Sequence, residues 1–227
     1  MNKDKIKKII IFGIGDNGEL AKYYFENDKK YKNTYKVVAF TVQNQYLTKK
    51  EFNGLPVTAF ENLEKFYSPE EYFLFIAIGY TSMNEAREKL YLLGKEKGYK
   101  FVNYISSKAN IFTEDVGENN FILEDNTIQP FVKIGNNNVI WSGNHIGHHG
   151  EIGNNCFITS HVVISGRCKI EDNCFLGVNS TIRDHITIKY KSLIGAGAWI
   201  SKNTEEYGVY LANQANKINK KSVELKI

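Results

Sequence analysis

The stretch Ile146-Gly-His-His-Gly-Glu-Ile152-Gly-Asn-Asn-Cys-Phe-Ile158-Thr-Ser-His-Val-Val-Ile164 decides the fold of this chain. Isoleucine returns at every sixth residue, and the spacing continues in both directions without an insertion. Val116, Ile122, Ile128, Ile134 and Ile140 precede the stretch, and Ile170, Leu176, Ile182, Ile188, Ile194 and Ile200 follow it. A helix repeats apolar residues at 3.6 and a strand at 2, so neither produces a strict six. If aliphatics held about a quarter of all positions, so long a series would arise by chance about once in a billion. A parallel β-helix does produce it. Each hexad forms one short flat side and sends one aliphatic residue into a central stack.

The other hexad positions carry their own meaning. Glycine fills the second position at 117, 135, 147, 153, 177 and 195, which reads as a tight turn where only glycine is sterically free. The fifth position is small: Gly150, Cys156, Val162, Cys168, Cys174, Ser180, Ser192 and Ala198. The three cysteines therefore read as inward, structural, reduced thiols rather than redox or metal groups. If three hexads make one triangular turn, residues eighteen apart stand above one another at about 4.8 Å. All five histidines, His145, His148, His149, His161 and His185, fall inside the repeat. The stacking rule puts His148 over Gly166 and then Asp184, and His149 over Arg167 and then His185.

The first hundred residues alternate strand and helix. Lys8–Phe12 is an apolar run followed by Gly13-Ile14-Gly15-Asp16-Asn17-Gly18 and a helical stretch, Glu19–Asn27. Lys36–Val42 reads as a second strand, Leu55–Val57 with Leu63 as a further βα element, and Tyr72–Ile78 as a buried strand ending at Gly79. Asn84–Gly98 reads as a helix and Phe101–Ile105 as the last strand. This pattern predicts a small parallel α/β sheet of Rossmann-like type with a glycine-rich first turn. Three regions follow: an α/β domain at 1–105, a β-helix at 106–203 with its seam at Ser106–Glu114, and a tail at 204–227 whose strand-like piece is Gly208–Ala212.

Composition narrows the function. The 227 residues are 42% hydrophobic, with 29 basic and 25 acidic side chains and a net charge of +4. Lysines crowd both ends (Lys3, Lys5, Lys7 and Lys8; Lys217, Lys220 and Lys221), which favours solubility. There is no dense basic stripe of the kind that binds nucleic acid. No run of 18 apolar residues offers a membrane span. The start does not read as a signal peptide, because Ile9–Phe12 is short and ends in glycine, and a cytoplasmic protein is expected.

The residues from Ile146 to Phe157, then Ser165-Gly166, Asn173–Gly177 and Ile194–Ala198, resemble the left-handed β-helix (hexapeptide-repeat) acyltransferases. With the glycine-turn domain and Phe75–Gly79, the chain resembles bacterial nucleotide-aminosugar N-acetyltransferases and their sialic-acid O-acetyltransferase relatives. The resemblance implies a homotrimer with acetyl-CoA, the cosubstrate, in a groove between neighbouring coils, and no metal. It implies that His148 is the general base, that the Gly166 N–H holds the acetyl carbonyl, and that Gly195, Ala196 and Ala198 line the CoA arm. It implies a nucleotide-sugar, a 4-amino-4,6-dideoxyhexose of surface-glycan (O-antigen) biosynthesis, on Gly13, Gly15, Asp16, Asn17, Gly18, Thr41 and Gly79.

Departures from that pattern are specific. Relatives often follow the base with a glutamate that orients it, where this chain has His149, which is expected to orient the base or contact the sugar. Asn17 stands where some relatives carry histidine, and the second strand ends Thr41-Val42-Gln43-Asn44 without the aspartate that reads uracil. Ala212-Asn213-Gln214-Ala215 replaces a Gly-Val-Pro-Ala turn. Four other readings compete. Acetylation of a sugar hydroxyl would use the same constellation. A nicotinamide enzyme would need an acidic residue at the end of the second strand, which is absent. A zinc hydratase on the same coil would use His149 and His185 but lacks a third histidine within 186–191. A trimeric scaffold would leave the His148/Gly166 stack and the glycine turn without a role.

Overall fold

Each hexad closes one side of a left-handed parallel β-helix in the computed structural model, which describes residues 6–217, 219 and 221–224. Lys3, Lys5 and Lys220 lie outside the described residues. The eighteen-residue rule holds pair by pair: Ile128 pairs with Ile146, Ile146 with Ile164, Ile164 with Ile182 and Ile182 with Ile200. Among the described residues the strands stack into three faces. The first has seven strands, from Tyr104–Ile105 to Val209–Tyr210; the second has six, from Asn110–Ile111 to Trp199–Ile200. The third has four, from Lys133–Ile134 to Thr187–Ile188. The repeating isoleucines fill the axis with Cys156, Cys168 and Cys174. Burying each such isoleucine contributes roughly 1.5–3 kcal/mol, which lets two-residue strands suffice.

The turn sits at the fourth hexad position, not the second. Asn137, Asn155 and Asn173 have φ of 58, 59 and 59°, and His149, His161 and His185 have 56, 58 and 60°. Asparagine is enriched in this left-handed region, where its short side chain bonds locally. The second-position glycines answer a different need. A Cβ on Gly147 would stand 2.5 Å from the Gly166 nitrogen, and one on Gly177 2.5 Å from that of Ala196. Coils approach too closely there for any side chain.

The coil also starts earlier than the repeat suggests. Phe101–Ile105 splits: Lys100–Phe101 ends the α/β sheet, while Tyr104–Ile105 already pairs with Phe121–Ile122 on the first face. Residues 106–114 lie within the first coil, where Asn110–Ile111 pairs with Thr127–Ile128. The step from Ile111 to Val116 is five residues rather than six, which hides the earlier hexads. At the other end Val209–Tyr210 pairs with Leu193–Ile194, so the tail strand closes the coil instead of standing apart.

The α/β unit runs β1 (Lys7–Phe12), α1 (Asp16–Asn27), β2 (Tyr35–Val42), β3 (Glu51–Phe52), β4 (Leu55–Ala59), β5 (Tyr72–Ile76), α2 (Glu85–Glu96) and β6 (Lys100–Phe101). Its sheet order is β3-β4-β2-β1-β5-β6, parallel except for the β3–β4 pair. The order reverses at β1, between β2 and β5. Ala21 and Phe25 of α1 pack on Ile9, Phe40 and Phe75, and this core continues into Phe121, Val139 and Phe157 of the first face. Leu90 of α2 covers the other side of the sheet with Ile10, Phe12 and Leu74.

A polar seam runs through this apolar contact. Asn119, Asn137, Asn155 and Asn173 stack as an amide ladder, with Nδ2 to Oδ1 distances of 2.7, 2.7 and 3.4 Å. The Ile76 N–H of β5 donates into Asn119 at one end (2.8 Å), and Asn173 donates to Glu88 of α2 at the other (2.9 Å). Asn137→Ala leaves a buried donor and a buried acceptor without partners, each costing about 1–3 kcal/mol. Urea unfolding should show a loss of about 2–4 kcal/mol. A change within about 0.5 kcal/mol, usual for surface positions, would mean the ladder is dispensable.

Candidate active site

The glycine turn after β1 builds a cleft of about 470 Å³ at the carboxyl ends of β1, β2 and β5, where the strand order reverses. Ligands of open α/β sheets bind at such switch points. Gly13 has φ of +123°, and a Cβ there would stand 2.6 Å from the Ala77 carbonyl oxygen, so only glycine lets β1 and β5 close up. Gly18 packs directly on the Gly13 carbonyl. Gly15 is the N-cap of α1 and supplies no side-chain cap, so the first-turn amides face the cleft. That end of a helix favours phosphate. Asp16 and Asn17 form its lip, and the Asn17 side chain faces Gly79.

Two of the expected contacts take other roles. Thr41 is fully buried, and its hydroxyl donates to the Thr58 carbonyl at 2.8 Å. Gly18 sits behind the turn as a packing residue. Val42, Gln43 and Tyr46 line the β2 side instead. Tyr46 comes from a short 3-10 turn, Asn44–Tyr46, which has no periodic signature in the sequence.

The far lip of the cleft is pinned to the coil. Ser82, Met83 and Asn84 are consecutive left-handed residues, with φ of 53, 49 and 68°. That conformation costs roughly 1–2 kcal/mol per residue. It is held by Asn84, which donates to the Asn173 and Cys174 carbonyls, and by Arg87. Arg87 of α2 is fully buried. Its guanidinium donates to the carbonyls of Gly79 (3.0 Å), Asn137 (3.1 Å), Asn155 (2.7 Å) and Cys156 (3.1 Å) and to Asn84 Oδ1 (3.0 Å). Burial pushes this guanidinium down to about 10, which leaves it charged near neutrality. Nothing in the sequence marked Arg87, because its partners are backbone carbonyls on another element.

The second candidate region is the corner between the second and third faces. The His148 ring lies over Gly166, where a Cβ would stand 3.0 Å from Cε1 and from Nε2. The His148 backbone N–H donates to Gln129 Oε1 at 2.9 Å. His148 Nδ1 is 3.0 Å from His149 Nδ1, and the His149 ring leans on Phe131 at a tilt of 36°, with centroids 4.6 Å apart. Both histidines are exposed in the single chain. Among the described residues the Gly166 N–H has no protein acceptor. An imidazole and an amide without a protein acceptor thus lie side by side, a pairing that could serve acyl transfer. Gly166→Ala would push on the imidazole, so turnover should fall while the fold survives. Unchanged kcat with normal circular dichroism would count against a functional notch.

Next in the His149 column comes Arg167, then His185, whose Nδ1 is 2.9 Å from Asp184 Oδ2. The contact with His185, followed by Arg183, holds the Asp184 carboxyl below its usual range. A guanidinium between His149 and His185 is unsuited to a shared zinc. Among the described residues no group of three metal-ligating side chains converges. Gly195 and Ala196 lie at the opposite edge of the second face, and Leu211, the residue after the closing strand, rests on Gly195. Ala198 is turned into the coil core, so its side chain is not part of any outer groove.

The cleft and the His148 corner do not meet within one chain. The α/β domain rides on the first face, with Tyr80 on Phe157 and Phe175 (4.9 and 4.8 Å). The His148 corner joins the other two faces and so lies on the opposite edge of the triangle. Among the described residues no hydrogen bond links residues 6–101 to 147–150 or 165–167. No helix of the described residues is long and apolar enough to cross a membrane.

Comparison with known proteins fits this geometry. The bacterial transferase hexapeptide (six repeats) family matches residues 149–184, and the hexapeptide repeat of succinyl-transferase matches 167–202. No curated protein sequence matches the chain. The acetyltransferase domain of PglB from Neisseria gonorrhoeae superposes with a TM-score of 0.78 at 19% identity, covering 93% of this chain and 100% of that one. PerB from Caulobacter crescentus, solved with CoA and GDP-perosamine, gives 0.78 at 23% identity, covering 92% and 95%. WeeI from Acinetobacter baumannii gives 0.75 at 21% identity, covering 92% and 99%. By its six-residue repeat and its strand topology the chain has the fold shared by these three structures, an α/β unit followed by a left-handed parallel β-helix.

Proposed function

We propose that this protein transfers the acetyl group of acetyl-CoA to the amine of a nucleotide-linked amino sugar. The observation that carries the reading is the His148 imidazole over the free Gly166 amide. A sugar ammonium gives one proton to solvent before its nitrogen can attack a thioester, and the attacking amine must then lose a second, which the exposed His148 imidazole can take. The Gly166 N–H is suited to the oxyanion that forms as the C–N bond develops. The C–S bond then breaks, and the departing CoA thiolate recovers the proton from His148.

The cleft beside α1 fits the nucleotide half of the substrate. First-turn amides suit its phosphates. Asp16 would repel a phosphate placed on it and suits a hydroxyl or ammonium group instead. The Tyr46 ring and the Gln43 amide stand where a base could stack and hydrogen-bond. PerB, whose crystal structure holds CoA and GDP-perosamine, shares this fold, and the proposal extends to a 4-amino-4,6-dideoxyhexose of surface-glycan synthesis.

Cleft and base lie on opposite edges of one chain, so the reading includes a homotrimer in which one chain's cleft faces a neighbour's His148 corner. The second face supports this. It lies between Ala196 and His148 and exposes Val163 and Trp199, with Thr181 between them, side chains suited to a CoA arm and a neighbouring coil. The test is a panel of amino and hydroxy nucleotide-sugars incubated with acetyl-CoA while free thiol is followed. Thiol release with amino sugars supports the reading. Release with hydroxy sugars alone would make the protein an O-acetyltransferase, and release with neither would overturn acetyl transfer to sugars.

A further inference from the structure

We propose that Phe131 and Phe112 form a shelf for the sugar that receives the acetyl group, and that the shelf selects a hexose whose C6 is a methyl group. The proposal rests on the acetyl-transfer reading and adds the place on the coil where the acceptor ring lies, one turn before His148. Its starting point is the backbone at Phe131, which has a left-handed φ of 65°. At the same turn position from Asn119 to Gly197, every other hexad carries Asn, Asp, Gly, His, Arg or Lys. A bulky residue is an outlier there. Burial does not offset the strain, because the ring is 68% exposed and its one aromatic neighbour among the described residues is His149. Strain kept at an exposed corner points to a functional constraint. Phe112, 61% exposed, lines the same hollow of about 410 Å³ together with Pro130, and Glu114, Asp115 and Lys133 supply its charged rim.

Position along the corner assigns the occupant. Successive coils stand about 4.8 Å apart. In order they present Phe112, then Pro130–Phe131, His148–His149, Gly166–Arg167 and Arg183–His185. The base stands in the middle of the series, and the two halves differ. Beyond Gly166 the corner is cationic, through Arg167 and Arg183, and suits the phosphates of CoA. Asp184 on that half is already bonded to His185. Before His148 the corner is apolar with a net negative rim, which repels phosphates and suits hydroxyl groups. With the acetyl carbonyl at Gly166, the attacking amine carries its ring toward the apolar half. The chemistry of the sugar then places the methyl. C5 adjoins C4, so in a 4-amino sugar held at His148 the C6 substituent lies within one coil step of the amine, over the shelf. A methyl gains by leaving water there. A C6 hydroxyl would exchange water for aromatic carbon and find no donor or acceptor on either ring.

The experiment compares two nucleotide-linked 4-amino sugars, alike except for a methyl or a hydroxymethyl group at C6, on wild type, Phe131→Asn and Phe131→Tyr. Wild type should favour the methyl sugar in kcat/KM by about 10–100-fold, the range that one small group supplies in an apolar pocket. Asparagine is at home at a left-handed corner, so Phe131→Asn should unfold in urea at or above the wild-type midpoint. It should nonetheless lose the preference, leaving the two sugars within about 3-fold of each other. The loss should come from a higher KM for the methyl sugar, with KM for acetyl-CoA unmoved. Phe131→Tyr keeps the ring and should keep the preference. With CoA in place of acetyl-CoA, saturation-transfer NMR supplies a readout that needs no turnover. The C6 methyl should receive strong transfer on the wild type and weak transfer on Phe131→Asn. An unchanged preference in folded Phe131→Asn, with acetyl transfer intact, overturns the shelf and leaves the acetyl-transfer reading standing. A changed sedimentation mass with an unchanged preference also overturns it and gives the hollow to a neighbouring copy. No transfer to either sugar by the wild type overturns the acetyl-transfer reading and the shelf with it.

Discussion

Arg87→Met should lower the unfolding free energy by about 3–5 kcal/mol, a loss reserved for a few core mechanisms. Methionine fills the same space without donors, so the carbonyls of Gly79, Asn137 and Asn155 and the Asn84 amide oxygen lose their partner together, while the Cys156 carbonyl keeps the Val139 N–H. Each buried acceptor left alone costs about 1–3 kcal/mol, reduced where the structure relaxes. Arg87→Lys keeps the charge, but an ammonium has three donors on a point and cannot span acceptors on two domains. It should fall between wild type and methionine in urea unfolding. The same variants release Gly79 and the left-handed turn at Ser82–Asn84, so nucleotide-sugar binding should weaken even where the protein remains folded. A loss under about 1 kcal/mol for Arg87→Met would mean these bonds are replaced by water.

His148→Asn should cut kcat for acetyl transfer by about 10²–10⁴, the usual contribution of a positioned base. Asparagine keeps a polar group over Gly166 but cannot accept the proton at neutral pH. The binding groups in the α1 cleft are untouched, so KM for the nucleotide-sugar should change little. The ring lies on an exposed corner, and stability should move by less than about 0.5 kcal/mol. A folded variant with near wild-type turnover would remove His148 from the mechanism.

The coil was legible because its signal is strict. One aliphatic in six, with small residues at a fixed offset, leaves no other architecture, and the eighteen-residue register gave the His148/Gly166 contact directly. What the sequence misassigned was backbone conformation. Gly147 and Gly177 looked like turns, yet the left-handed corner belongs to Asn137, Asn155 and His149, two positions later. A glycine required by the next coil and a glycine required by φ look the same in a string of letters.

The contacts between domains were not legible at all. The amide ladder from Asn119 to Asn173 follows the register, but its ends on Ile76 and Glu88 depend on where the α/β sheet docks. Arg87 and Tyr46 act through elements remote in sequence, and no local pattern announces them. Thr41 was expected in the cleft because it ends an apolar strand. Its hydroxyl turns inward to Thr58, and the side chains that line the cleft there come from Val42 and the turn beyond it. Shortened hexads at both ends of the coil, at Ile111–Val116 and before Tyr210, likewise break the period while the structure continues.

The most direct measurement of the central claim is the mass spectrum of a nucleotide-linked 4-amino sugar after incubation with this protein and acetyl-CoA. The account predicts one acetyl group on the sugar nitrogen, with one free CoA thiol for each sugar converted. An unchanged sugar beside intact acetyl-CoA, across nucleotides of either base class, would contradict it.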